Sequence, residues 1–540
     1  MIRISQLRLP LDHTDAELRA AVRVRLGLEP DAPLELTLFK RSYDVRKKHA
    51  PMFVYTVDVD TPNAEAIRSS LTDDPEISAT PDMAYRFVKS AEEVSAYTAR
   101  PGALRPVVIG MGPCGLFAAL VLAQMGLRPI VLERGKKVRE RTVDTFGFWR
   151  TGALDPESNV QFGEGGAGTF SDGKLYSQVR DPHHLGRKVL SELVAAGAPS
   201  EILWSSKPHI GTFRLVKVVE NIRAQIEWLG GEMRFGARVT GLHLEAGRLR
   251  GVTLAGGEEI RADQVVLAVG HSARDTFAML HAAGVEIVAK PFSVGFRIEH
   301  PQSLIDRSRF GAFAGDPRLG AADYKLTHHC RNGRTVYSFC MCPGGTVVAA
   351  ASEAGRVVTN GMSQYSRAER NANAGIVVGI SPADYPEGPL AGIAFQRRLE
   401  ARAFELGGSS YHAPVQRVGD FLRKRPSSAL GDVIPSYTPG VTPTALDSSL
   451  PDWAIAAIRE AIPAFDRTLR GFAMHDAVLT GVETRTSSPI RIPRDGDTLQ
   501  SVSTPGLFPA GEGAGFAGGI LSSAIDGIRV AEAAARDLLG

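Results

Sequence analysis

The segment from residue 106 to 134, PVVIGMGPCGLFAALVLAQMGLRPIVLER, constrains the fold more than any other part of this sequence. It predicts a short apolar strand, a G-x-G-x-x-G turn, an apolar helix that Gly126 ends, and a second apolar strand that stops before an acid. Gly110 permits the tight turn, Gly112 lets backbone approach a pyrophosphate, and Gly115 lets helix and strand pack closely. Unpaired N–H groups at the helix start attract phosphates, and Glu133 is placed to accept hydrogen bonds from ribose hydroxyls. The segment therefore predicts a dinucleotide-binding unit.

A transmembrane helix is the alternative interpretation of this segment, because residues 107–127 carry no charged side chain and are long enough to span a bilayer. Glycines and a proline concentrate in residues 107–115, the start is strand-like, and the remainder of the chain is polar. We therefore expect no membrane partner.

The composition supports a globular protein with two or three domains, since the chain has 540 residues, of which 44% are hydrophobic and 22% charged. A net charge of +3 gives no reason to expect a DNA partner. The N-terminus lacks the apolar core of a signal peptide. The four cysteines make no disulfide framework in so long a chain, so we expect a cytoplasmic location.

The pattern of apolar residues predicts a small α+β domain over residues 1–95, with a helix that starts at a capping box, Thr14 to Glu17, and runs to Leu26. Helices are expected over 186–197 and 215–229. Short runs at 233–235, 239–244, 249–254 and 259–260 predict a β-meander. Two later strands end in glycine, at Gly270 and Gly511, and a small-residue helix follows over 520–538.

These elements, in this order, resemble the FAD-binding domain of glutathione-reductase-like flavoproteins. The resemblance implies an α/β fold with a Rossmann-like FAD-binding domain, a parallel sheet plus β-meander, split into residues 103–290 and 493–540. A mixed α+β domain, residues 291–492, is inserted between the two parts as the expected substrate side. The resemblance also implies a set of cofactor-binding residues: Gly110, Gly112, Pro113, Cys114, Gly115, Glu133, Arg134, Gly165, Gly166, Gly168, Thr169, Ser171, Gly270, Gly511, Glu512, Gly519 and Ile520. Glu512 corresponds to an acid that binds the ribityl chain.

Four further motifs, at 161–175, 270–276, 339–345 and 483–489, are similar to a family of uncharacterised bacterial and plastid FAD-dependent dehydrogenases, FAD-dependent proteins with a distinct C-terminal domain. This resemblance implies FAD as cofactor and gives no substrate.

Four side chains are candidates for catalysis. Lys174, in a glycine-rich loop, can place a positive charge near the flavin or an acidic substrate. Cys340 and Cys342 are spaced to share one face of a strand, where they could relay electrons or simply pack beside the flavin. Half a metal site is the further interpretation of this pair: zinc needs two more ligands, there is no second cysteine pair, and His328, His329 and Cys330, ten residues upstream, are the alternative source of ligands. No metal is expected. Arg485 suits a substrate carboxylate or an interdomain salt bridge.

The sequence therefore predicts an FAD-dependent oxidoreductase that moves hydride or electrons between a small molecule and FAD. No second glycine motif with its acid is present, so NAD(P)H, if it is the donor, would dock only transiently. An RNA-modifying or RNA-binding flavoprotein is the second hypothesis. It rests on five basic residues within ten positions, Lys40, Arg41, Arg46, Lys47 and Lys48. The favoured interpretation of these residues is a run of solvent-exposed charges without an RNA partner. A non-catalytic flavin-binding regulator is the third.

Overall fold

The computed structural model describes residues 1–540 and begins with a four-stranded antiparallel sheet covered by helices. Its elements are β1 (Ile2–Pro10), α1 (Asp15–Leu26), β2 (Glu35–Asp44), β3 (Met52–Asp60), α2 (Ala64–Ser70) and β4 (Ile77–Ala79). The sheet order β2-β3-β1-β4 is the split βαβ arrangement of ferredoxin-like domains. The predicted capping box is confirmed: the Glu17 amide donates to Thr14 Oγ1, and the Thr14 amide donates to the Glu17 carboxylate. Helix α3 (Ala91–Thr98) leads to the next domain.

A five-stranded parallel sheet forms the second domain. Its first part comprises β5 (Val107–Ile109), α4 (Pro113–Gln124), β6 (Ile130–Leu132), α5 (Val138–Thr151), α6 (Leu185–Ala195), α7 (Thr212–Trp228), β7 (Glu232–Arg234), β8 (Val239–Glu245), β9 (Arg248–Leu254), β10 (Glu259–Arg261), β11 (Val265–Leu267), α8 (Arg274–Ala282) and β12 (Val288–Ala289). Strands β8, β9 and β10 form an antiparallel meander, as predicted for three of the four short runs, whereas the first run, at 233–235, is corrected: it forms β7, which pairs with β6 in the parallel sheet.

The next part of the chain forms a seven-stranded mixed sheet in the order β14-β15-β18-β13-β21-β19-β20. Its elements are β13 (Phe292–Pro301), α9 (Gln302–Phe310), β14 (Thr327–His329), β15 (Thr335–Cys342), β16 (Gly345–Ala349), β17 (Thr359–Ser363), β18 (Asn371–Ile380), α10 (Ala391–Leu406), β19 (Ala413–Arg417), α11 (Val418–Leu422), β20 (Val441–Pro443), α12 (Asp452–Thr468) and β21 (Val478–Glu483). Strand β22 (Ile490–Arg491) then pairs with β12, so the chain leaves the second domain and returns to it at one antiparallel pair.

The C-terminal segment completes the parallel sheet. Strand β23 (Leu507–Pro509) pairs with β11, giving the order β23-β11-β5-β6-β7, and helix α13 (Ile520–Leu539) follows. Helix α13 packs closely on α4, because a side chain at Gly527 would overlap the backbone of Cys114. The structure therefore confirms a mixed α/β fold with a parallel sheet.

Helix α4 is uncharged because protein surrounds it on every side; every residue from 114 to 123 is buried. None of the helices has the length and apolar character needed to cross a bilayer.

The N-terminal domain and the inserted domain share one hydrophobic core. At their contact the Tyr43 ring meets the Phe310 ring edge-to-face, with centroids 5.9 Å apart, and Lys48 donates a hydrogen bond to the Ser308 carbonyl. The β2–β3 hairpin thereby supports helix α9.

Candidate functional site

One cavity of about 920 Å³ lies between the carboxyl ends of the parallel strands and the inserted domain. Ligands of open α/β sheets bind at this edge. Most predicted site residues border it: Gly110, Gly112, Pro113, Cys114, Glu133, Arg134, Gly166, Gly168, Ser171, Lys174, Gly270, Cys340, Arg485, Gly511, Glu512, Gly519 and Ile520. Gly115, Gly165, Thr169 and Cys342 do not border it.

The glycine turn after β5 brings two stretches of backbone together. Gly110 has φ +95°, in the range that glycine favours, and a side chain at Gly115 would overlap the Gly110 carbonyl, so Gly115 serves packing as predicted. A Cβ at Gly166 would lie 2.7 Å from Gly112 Cα. Because Gly112 caps α4, this backbone cradle faces the positive end of the helix. The cradle fits a pyrophosphate.

Glu133 connects the turn to the glycine-rich loop. Its carboxylate accepts hydrogen bonds from three backbone amides, Met111 at 2.9 Å, Gly135 at 2.8 Å and Gly163 at 3.0 Å. A carboxylate offers about four acceptor positions, so one remains for a ligand hydroxyl. Arg134, beside it, pairs with the carboxylates of Glu157 and Asp275.

A buried arginine that the sequence did not single out shapes the loop. Arg141 is fully buried in α5 and donates hydrogen bonds of 2.7 Å to the carbonyls of Asn159, Val160 and Glu164. Burial lowers the pKa of its guanidinium to about 10. Arg141 therefore fixes the loop that meets Gly112. Only the fold reveals it, since an arginine on an amphipathic helix is ordinarily solvated.

Lys174 borders the cavity beside a buried acid. Its Nζ lies 3.8 Å from the carboxylate of Asp172, which also pairs with Arg367. Burial opposes the charge of Lys174, but Cys342, Cys340 and Asp172 raise its pKa, so the ammonium persists.

The cysteine pair lies at a break in strand β15. The register with β18 shifts between Phe339 and Cys342, and Cys340 has φ +42°, so the predicted regular strand is interrupted by a bulge. Cys340 borders the cavity, whereas Cys342 is fully buried and its thiol donates to the Cys340 carbonyl at 3.3 Å. The prediction that Cys340 and Cys342 share one face of a strand is thus corrected: the bulge leaves Cys340 at the cavity and Cys342 behind it.

Arg297 is a second buried arginine, and it lies behind Cys340. Its Nη1 donates to the Cys340 carbonyl at 2.9 Å, and its Nε donates to the Glu483 carboxylate at 2.9 Å. The Cys342 thiol, Lys174 and Arg297 stabilise the Cys340 thiolate against burial and hold the pKa of Cys340 well below its usual range. These contacts favour the thiolate form of Cys340 at the cavity wall.

Arg485 forms an ion pair with Glu400 inside the inserted domain. Its Nε and Nη2 each lie 3.1 Å from the Glu400 carboxylate, and its Nη1 donates to the hydroxyls of Ser272 and Ser352. Arg274 binds the same carboxylate. These contacts occupy the guanidinium, so Arg485 forms a salt bridge rather than a free carboxylate-binding group, but the salt bridge lies within one domain and Arg274 makes the interdomain one.

Burial shifts the pKa of two titratable groups at the cavity, His271 and Glu512, towards their uncharged forms. Burial, with Arg485 and Arg274, lowers the pKa of His271 to about 3, so its imidazole is uncharged at neutral pH. Burial raises the pKa of Glu512 to about 7, and Cys340 adds to this effect while Lys290 opposes it. Glu512 can therefore hold or release a proton near neutral pH.

His328, Cys330 and Glu460 place potential metal-ligating atoms within 4.8 Å of one another, away from this cavity. The Glu460 carboxylate already accepts from the Arg331 amide and lies 3.2 Å from His328 Nε2. Internal contacts account for this cluster.

Comparison with known proteins identifies the family. An uncharacterized protein of Clostridium beijerinckii is 47% identical over 533 residues, which cover 98% of both chains. Residues 291–486 match the family model for the C-terminal domain of FAD-dependent proteins, and residues 185–283 match the model for flavin-containing amine oxidoreductases. The chain belongs to this FAD-dependent protein family. FAD is its cofactor, and the glycine cradle and Glu133 fit that group. Residues 1–60 match a domain of unknown function.

The solved structures similar to this chain include two flavoenzymes. The flavin-dependent brominase Bmp2 is 14% identical, with a TM-score of 0.36 and coverage of 81% of this chain and 80% of its own. The fructosyl amine:oxygen oxidoreductase of Aspergillus fumigatus is 12% identical, with a TM-score of 0.36 and coverage of 80% and 86%.

Proposed function

We propose that this protein is an FAD-dependent oxidoreductase that moves hydride or electrons between a small molecule and FAD. One observation carries the proposal: a single cavity is bordered both by the glycine cradle of the parallel-sheet domain and by Lys174 and Cys340 near the inserted domain. The proposal includes a position among glutathione-reductase-like flavoproteins and a cytoplasmic location, which four cysteines without a disulfide framework favour.

The residues of the chain have separate tasks in this proposal. When bound, FAD supplies the electron chemistry. The cradle at Gly112 and Gly166 and the start of α4 hold the pyrophosphate, and Glu133 accepts a ribose hydroxyl. Lys174 stabilises negative charge at the cavity wall, and Glu512 holds a proton at its carboxyl group. The inserted domain closes the cavity and excludes water, which strengthens these electrostatic interactions.

The experiment is an anaerobic titration of the FAD-loaded protein with NADPH and with NADH, followed by flavin absorbance. Rapid bleaching by one nucleotide identifies a transient nicotinamide donor and supports the proposal. Bleaching by dithionite alone directs the search to oxidisable metabolites. A flavin that no metabolite or redox partner reduces or reoxidises would contradict the proposal and favour a non-catalytic regulator.

The basic residues that suggested the RNA hypothesis are partly engaged within the protein. Arg41 lies over the Trp204 ring, with its Cζ 4.4 Å from the ring centroid. Arg46 pairs with Asp44, and Lys48 binds the Ser308 carbonyl. Three of the five basic residues are thus engaged in internal contacts, which supports the interpretation as an ordinary charge run.

A further inference from the structure

We propose that the inserted-domain wall of the cavity contains a subsite for an oxyanion, the carboxylate or phosphate of a small-molecule substrate. The subsite consists of Arg309, Tyr324 and Lys325, none of which belongs to the glycine motifs. This inference rests on the proposed function, because it names the charge of the substrate that would meet the flavin.

Two cations of the subsite have no acidic partner. Arg309, at the end of α9, borders the cavity, and its Nε is buried without a hydrogen-bond partner. Lys325 is exposed at the cavity border and forms no salt bridge. Buried guanidinium N–H groups are normally hydrogen-bonded, so the unsatisfied Nε calls for an acceptor.

Tyr324 provides an independent sign of a ligand. Its side chain is only 6% exposed and borders the cavity, yet its hydroxyl has no hydrogen-bond partner. The ring packs edge-to-face on Phe472, with centroids 5.7 Å apart, which fixes the position of the hydroxyl. A phenol that donates to an oxyanion would satisfy this group.

Four carboxylates border the cavity, and three of them are already engaged elsewhere. Asp172 pairs with Arg367, Asp323 lies 2.6 Å from Lys207, and Glu133 accepts three backbone amides. The fourth, Glu512, follows β23 in the parallel-sheet domain, and burial raises its pKa to about 7, which reduces its negative charge at neutral pH. Lys174 adds a further positive charge to the same cavity. The wall therefore carries a surplus of positive charge that favours an anion.

The subsite is separate from the pyrophosphate position. Its three residues lie in α9 and in the segment before β14, which belong to the inserted domain, whereas the glycine cradle lies at β5 and α4. The flavin phosphates therefore do not account for the unpaired groups.

The test is calorimetric titration of the FAD-loaded protein with inorganic phosphate and with succinate, and with glycerol as a neutral control. We expect saturable binding of one oxyanion and none of glycerol; the preferred probe tells a phosphate from a carboxylate. Arg309→Met should raise Kd about tenfold or more, because a charge-assisted hydrogen bond is lost. Tyr324→Phe should also weaken binding.

The matched control is Arg307→Met, because Arg307 is an exposed cation two positions earlier on the same helix and does not border the cavity. Its Kd should equal that of the wild type. Absence of saturable binding, an unchanged Kd in Arg309→Met, or equal weakening in Arg307→Met would overturn the subsite.

The two proposals can fail separately. A protein whose flavin turns over but which binds neither oxyanion lacks only the subsite. A protein that binds an oxyanion through Arg309 while no donor reduces its flavin retains the subsite and refutes the oxidoreductase.

Discussion

Replacing Gly166 with alanine tests the backbone cradle most sharply. The position has φ +62°, and an added Cβ would lie 2.7 Å from Gly112 Cα and 3.5 Å from the Pro113 ring. With ψ −167° this is a conformation almost restricted to glycine, and an alanine forced into it costs about 1–3 kcal/mol. The overlap adds about 1–3 kcal/mol, because a backbone atom must shift to relieve it.

Gly247→Ala is the matched control, since Gly247 has φ +78° in an exposed hairpin turn and an added Cβ would meet nothing within 4 Å. Both variants place alanine at a positive φ, so the difference between them reports the overlap together with the additional strain of ψ −167° at Gly166. If the turn at Gly112 moves to relieve that overlap, FAD affinity falls by between about fivefold and about a hundredfold.

The assays are quenching of FAD fluorescence on titration of the FAD-free protein and urea unfolding of both variants. We expect Gly166→Ala to bind FAD more weakly than Gly247→Ala, to be less stable, or both. Equal affinity and equal stability in the two variants would refute the close approach of Gly166 to Gly112.

Three further predictions concern charged groups. Iodoacetamide at neutral pH should label Cys340 first by mass spectrometry, because its lowered pKa favours the thiolate; preferential labelling of another cysteine would contradict this. Glu512 has a raised pKa, so it stabilises the fold at low pH and loses that contribution as pH rises from about 5 to about 7. We therefore expect the unfolding free energy of the wild type, measured from urea midpoints, to fall by up to about 3 kcal/mol relative to that of Glu512→Gln between about pH 5 and about pH 7. Parallel pH curves for the two proteins would refute the raised pKa of Glu512. Arg297→Met leaves the buried carboxylate of Glu483 without its arginine and should lower the unfolding free energy by about 3–5 kcal/mol. The control Arg331→Met changes a side chain that is 91% exposed and should leave the unfolding free energy almost unchanged. Equal losses in the two variants would contradict the buried pair.

The nucleotide unit could be predicted from the sequence because its signals are local. A strand, a glycine turn, a helix and a second strand follow one another within 30 residues, and periodicity and glycine spacing identify each of them. The meander and α13 were predicted for the same reason, and the capping box of α1 matches the structure residue by residue.

The buried arginines could not be predicted, because their partners are distant in sequence. Arg297 pairs with Glu483, 186 residues later, and its role depends on the pairing of β13 with β21. Arg485 offered a substrate ligand and a salt bridge equally well, and only the position of Glu400 on α10 distinguishes them. The bulge at Cys340 likewise depends on the register with β18, which the residues of β15 alone do not specify.

The most direct test of the account is the FAD content of Gly112→Trp beside that of the wild type. Gly112 borders the cavity, and a Cβ added there would lie 3.7 Å from its nearest neighbour, Gly166 Cα. The indole of a tryptophan at this position therefore has to occupy the space assigned to the pyrophosphate. We predict that the wild type purifies with FAD and that a folded Gly112→Trp protein does not retain it. A folded variant that carries as much FAD as the wild type would contradict the assignment of this cavity to the cofactor.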